Sequence, residues 1–157
     1  MLRLVMMIAC KKIVAALCVG FTMVGVSFAE LEGWGTDLDK ALEQAKKDKK
    51  SVLVEFTGSD WCPPCIAMRK NVFSKKEFVE AASKNFILVE LDFPKGDEAV
   101  KKKNDPLATK YKIEGFPTVI LLDSTGKEFT RFFASEHPTT EKFLAYLKMA
   151  LDKKDMD

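Results

Sequence analysis

Val52-Leu53-Val54-Glu55-Phe56, then Thr57-Gly58-Ser59-Asp60, then Trp61-Cys62-Pro63-Pro64-Cys65 is the stretch on which the fold turns. The first five residues are apolar except Glu55. Such a run suits a strand buried on both faces. The next four are turn formers, and a helix is expected from Pro63 to about Asn71, opening on a proline at its first turn. A strand, a tight turn and a helix that begins with two cysteines form one compact unit. Two intervening residues let both sulfurs meet at the first helical turn. There the helix dipole and unpaired backbone N–H groups favour a thiolate, the nucleophilic form of cysteine.

The other two cysteines, Cys10 and Cys18, lie in a different kind of sequence. Arg3, Lys11 and Lys12 precede an apolar run, Ile13 to Val26, which ends in Ser27-Phe28-Ala29. A basic start, a short apolar stretch and a small-x-small exit predict a secretory signal peptide over 1–29. A signal anchor is the alternative, and the apolar run is short for it. Cleavage would leave one domain over 30–157 holding only Cys62 and Cys65. It would also remove three of the 25 basic residues and none of the 23 acidic ones. The remainder is near neutral, so the net charge of +2 belongs to the leader and nucleic acid is excluded as a partner. One close cysteine pair closes too small a loop to staple a fold, which favours a redox role over a structural one. With two cysteines and one distant histidine, His137, a four-ligand zinc site is not expected.

Outward from the cysteines, the pattern predicts alternating helices and strands. Thr36 to about Lys49 reads as an amphipathic helix capped by Thr36. Ser74-Lys75-Lys76-Glu77 reads as a capping box for a helix to about Ser83. Phe86 to Phe93 is a second apolar strand. Residues 94–104 read as an irregular polar loop, and Asp105-Pro106 as the start of a short helix. Val119 to Leu122 and Glu128 to Phe133 flank the turn Asp123-Ser124-Thr125-Gly126 as an antiparallel hairpin. Thr139 or Thr140 caps a last helix. Helix-linked strands followed by a hairpin predict an α/β fold with a mixed central sheet and helices on both faces. Phe73, Phe78, Phe129, Phe132 and Phe143 are expected in the core, and His137 at the surface.

The strand, the Trp-Cys-Pro-Pro-Cys motif and, downstream, Gly115-Phe116-Pro117-Thr118 resemble the thioredoxin superfamily in that order. The form Phe56-Thr57-Gly58-Ser59-Asp60-Trp61-Cys62, with Met68 to Ser74 behind it, resembles the bacterial exported thioredoxin-like proteins related to the terminal reductase domain of the membrane thiol–disulfide interchange protein. The resemblance covers roughly 34–152 and implies a thioredoxin-like fold. It implies Cys62 as nucleophile, Cys65 as resolving thiol, and Trp61, Phe116 and Pro117 at the substrate surface, with Pro117 as a cis-proline. Glu55 falls near the buried acid of thioredoxins, although the loop to Cys62 is one residue longer than in the simplest form and the acid is Glu rather than Asp. Buried, it would hold its proton tightly and could exchange it with Cys65.

The expected function is extracytoplasmic, periplasmic thiol–disulfide exchange with protein substrates, without an organic cofactor. The chain is expected as a monomer supplied with electrons by a membrane-embedded thiol donor. Pro63 and Pro64 have no N–H, which leaves Cys65 and Ile66 as the nearest donors to the Cys62 sulfur. Modest acidification of Cys62 favours reduction over strong oxidation. The rival readings are a thioredoxin-like module that binds extended peptides without turnover, and a disulfide isomerase or oxidase.

Overall fold

The computed structural model describes residues 31–156; the expected signal peptide lies outside them. Four strands form one sheet in the order β2-β1-β3-β4. They are β1 (Ser51–Thr57), β2 (Phe86–Asp92), β3 (Thr118–Leu122) and β4 (Glu128–Phe133). β1 pairs parallel with β2 and antiparallel with β3, and β3 pairs antiparallel with β4. The mixed sheet and its terminal hairpin are therefore as the sequence predicts.

Strand alternation sends side chains to two cores. Leu53 of β1, Leu88 of β2 and Val119 and Leu121 of β3 meet Met68, Phe73, Phe78, Phe143 and Leu147 on one face. Val52, Val54, Phe56, Val89, Leu91 and Ile120 meet Leu38, Ala45 and Tyr111 on the other. The helices behind the first face are α2 (Pro63–Met68), α3 (Lys76–Ala82) and α5 (Thr140–Lys154); α1 (Leu38–Asp48) and α4 (Glu98–Lys110) cover the second. Four of the expected core phenylalanines, 73, 78, 132 and 143, are buried, and Phe129 packs half-buried against them. Trp34 seals this core from the N-terminal side and donates its indole N–H to the Phe73 carbonyl at 3.2 Å.

Several local expectations need correction. Asp37, not Thr36, caps α1, its side chain accepting from the Lys40 N–H at 3.2 Å. The expected box at Ser74 does not form: Lys75 is the N-cap of α3 without a side-chain bond, and Ser74 turns its hydroxyl back to the Lys70 carbonyl. The reason is that α2 does not stop near Asn71. It widens into a π-helical turn, Arg69–Phe73, which consumes Ser74 as its C-cap. The largest correction is α4, which spans much of the supposed loop 94–104. Asp97 caps it by accepting from the Ala99 and Val100 N–H groups, and Pro106 lies inside it. A proline normally breaks a helix. Here tertiary contacts hold the helix: Leu107 and Ala108 pack on the second core, and Asn104 donates to the Asp92 carbonyl at 2.8 Å. His137 is half-buried, stacked on Tyr146 with ring centroids 4.2 Å apart and edge-on to Phe132.

Candidate active site

The turn after β1 delivers the cysteines to the start of α2. Cys62 is the N-cap of that helix, and Pro63 and Pro64 occupy its first positions. Cys62 and Cys65 are joined by a disulfide, S–S 2.06 Å. The Cys65 N–H points at the Cys62 sulfur, N···S 3.4 Å, while the Ile66 N–H is spent on the Cys62 carbonyl at 3.0 Å. Of the two donors expected near the sulfur, one is therefore used by the helix. Both cysteines are buried, Cys62 at 4% and Cys65 at 1% exposure.

Around the dithiol the surface is aromatic. Trp61 is 38% exposed, and its ring meets Phe116 edge-on at 5.7 Å. That contact brings the loop Gly115–Pro117 against the loop that carries Cys62. The Phe116–Pro117 peptide is cis, and Pro117 is buried. No hydrogen bond among the described residues uses the backbone N–H or carbonyl of Phe116. The Trp61 ring also lies on Gly58. A Cβ there would come within 2.5 Å of it, so only glycine leaves room for the indole.

A second loop is tied to this surface, and sequence reasoning missed it. The Asp60 carboxylate accepts from the Lys95 N–H at 3.0 Å and the Gly96 N–H at 2.9 Å. These bonds hold its carboxyl below the usual Asp range. The Trp61 indole donates to the Phe93 carbonyl at 2.8 Å, and the Lys95 ammonium stands 5.2 Å from the Trp61 ring centroid. Thus the segment after β2 is clamped onto the turn before Cys62. The only hint in the sequence is Pro94-Lys95-Gly96, a turn with free N–H groups.

Glu55 lies on β1 two residues after Leu53, on the sheet face that Met68 of α2 packs against. It is 1% exposed, and neither carboxyl oxygen has a hydrogen-bond partner within the described residues. Burial pushes its proton affinity well above the ordinary value, and the Glu90 carboxylate raises it further; Thr57 and Arg69 oppose the shift. Glu90, on β2, stands directly across from Glu55 in the parallel register and forms an ion pair with Arg69. Sequence reasoning singled out neither Glu90 nor Arg69. Their pairing depends on register and on the helix lying across the strands, which no short-range pattern carries.

A thioredoxin-like family pattern matches residues 33–124. Among curated relatives, the chain is 39% identical over 95 residues to the disulfide bond reductase DsbH of Chlamydia pneumoniae, covering 59% of this chain and 57% of that one. It is 35% identical over 101 residues to the thioredoxin-related protein DsbJ of the same organism, covering 62% of this chain and 29% of that one. In both cases less than two thirds of the relative's length is spanned. A solved structure of a DsbH oxidoreductase superposes with a TM-score of 0.66 at 30% identity, covering 82% of this chain and 93% of that one.

Proposed function

Because the chain belongs to the thioredoxin-like family, we propose that it is an extracytoplasmic thiol–disulfide oxidoreductase that reduces protein disulfides through Cys62 and Cys65. The observation that carries this reading is the cysteine pair at the start of α2, within bonding distance and with a backbone N–H aimed at the first sulfur. In the reduced protein the Cys62 thiolate attacks a substrate disulfide. A Cys62–substrate disulfide forms, and the other substrate sulfur leaves and takes up a proton. Cys65 loses its proton and attacks the Cys62 sulfur, which releases the second substrate thiol. Two electrons have then passed to the substrate, and the Cys62–Cys65 disulfide remains. A dithiol donor must reduce it again, and a membrane-embedded thiol protein is the proposed source. The leader over 1–29 is the proposed route out of the cytoplasm.

The donors at Cys62 support the reducing direction. Pro63 and Pro64 offer none, Ile66 is occupied, and only the Cys65 N–H faces the sulfur. A thiolate with so little support is modestly acidified, and its disulfide is correspondingly harder to reduce. Trp61 and the free backbone of Phe116 form the surface proposed to take an extended substrate segment beside the dithiol.

The test is the equilibrium potential of the pair, read by titration against glutathione. A value near about −270 mV agrees with a reductase, and one near about −120 mV reverses the direction. Cys65→Ser should trap mixed disulfides with substrates, while Cys62→Ser should trap none. A pair that cannot be cycled leaves a binding module as the reading.

A further inference from the structure

Glu55 and Glu90 are directly opposed on neighbouring parallel strands, on the same face of the sheet. Both are buried, at 1% and 6% exposure. Their backbones lie one strand apart, about 4.8 Å, and two buried carboxyl groups carried on one face at that register resist being ionised together in a low-dielectric interior. The pair therefore favours holding one proton, and its surroundings are unequal. Arg69 forms an ion pair with Glu90 and keeps its own side chain 29% exposed, so the charge at Glu90 is matched. Glu55 has no hydrogen-bond partner within the described residues. The proton is better placed on Glu55.

The same helix that carries Arg69 carries the dithiol. Cys65, Met68, Arg69 and Val72 follow at intervals of three and four, which is one helical face. Cys65, Met68 and Val72 are each at most 2% exposed, Met68 and Val72 pack in the same core as Leu53 of β1 and Leu88 of β2, and Arg69 reaches Glu90, so this face is turned toward the sheet. Other groups around Glu55 are Thr57 on its own strand, Asp92 on β2, which is engaged by Ser59, and Val119 opposite it on β3, which carries no charge.

We propose that Glu90, anchored by Arg69, is a positioning residue that reserves the proton of this buried cluster for Glu55 and so matches Glu55 to the Cys65 thiol. The inference rests on the proposed exchange reaction. When an incoming thiolate opens the disulfide at Cys62, the bonding pair goes to the Cys65 sulfur, and Glu55 passes its proton to that sulfur. When Cys65 attacks, the proton returns to Glu55. Transfer is fastest when the two groups hold the proton with similar strength. An ordinary carboxyl and an ordinary thiol differ by about four units, and Glu90 narrows that gap.

Side-chain carboxyl 13C NMR of the oxidised protein, in which the cysteines do not titrate, reads the Glu55 midpoint directly. Glu90→Gln should lower it by about one unit or more, and Glu90→Asp, which keeps the charge, should largely restore it. The pH profile of disulfide opening by dithiothreitol should shift with that midpoint. If Glu90→Gln does not fold, the double variant R69M/E90Q removes both charges and should still lower the midpoint, by less. An unmoved midpoint overturns the role of Glu90. If Glu55→Gln leaves the opening profile unchanged, Glu55 carries no proton in exchange, and the inference falls even though the dithiol still turns over. Loss of all cycling in the wild-type chain would instead sink the proposed function itself.

Discussion

Replacing Glu55 by glutamine should stabilise the protein, and by more as the pH rises. The side chain is 1% exposed with both oxygens unpartnered, and burial holds its proton well above the ordinary glutamate range. A carboxyl that holds its proton more tightly folded than unfolded makes the native state bind more protons. Stability contributed by the neutral form is full below the unfolded value. It is lost as pH rises towards the folded one, at up to about 1.4 kcal/mol per unit for one proton. Glutamine has nearly the same shape and no proton to lose. The two proteins should therefore differ little near pH 4. By pH 7 the variant should lead by an amount that approaches about 1.4 kcal/mol for each pH unit between the unfolded value, about 4.3, and the folded value or pH 7, whichever is lower. Urea unfolding of the oxidised proteins at pH 4, 5, 6 and 7 measures this, since the disulfide keeps the cysteines from titrating. A difference that stays flat with pH, or a wild type that gains on the variant as pH rises, would refute the reasoning.

Gly58→Ala places a Cβ 2.5 Å from the Trp61 ring, so the indole must move off the turn. The expected cost is about 1–3 kcal/mol, with a shifted Trp emission that a neutral site would not give. Phe143→Ala empties a fully buried position ringed by Phe73, Phe78 and Phe132. It should cost about 3–5 kcal/mol in denaturant titrations. Asp97→Ala removes the cap of α4 and should cost about 1 kcal/mol. Hydrogen exchange should rise first at Ala99 and Val100, whose N–H groups lose their acceptor.

Much of this protein was legible before folding. Near-continuous apolar runs suit strands covered on both faces, and turn formers between them are local signals, so β1, β2 and the terminal hairpin could be read from residue pattern alone. The cysteine pair at a helix start is also local: three residues of separation set its reach. The errors lay where tertiary contacts override propensity. Pro106 looked like a helix start, yet Asp97 and the packing of Leu107 and Ala108 carry α4 through it. Ser74 looked like a cap, yet the π turn behind α2 takes it.

By itself the sequence determined the layers, the dithiol and the apolar strand that contains one acid. The three-dimensional fold decided what that acid meets. Glu55 and Glu90 are 35 positions apart, and only the parallel register of β1 and β2 sets them face to face. Only the helix laid over those strands brings Arg69 to Glu90. Likewise, Asp60 binds the segment after β2 because the two loops leave the same end of neighbouring strands. Charge interactions depend on distance through space, which a chain acquires only when its distant parts pack.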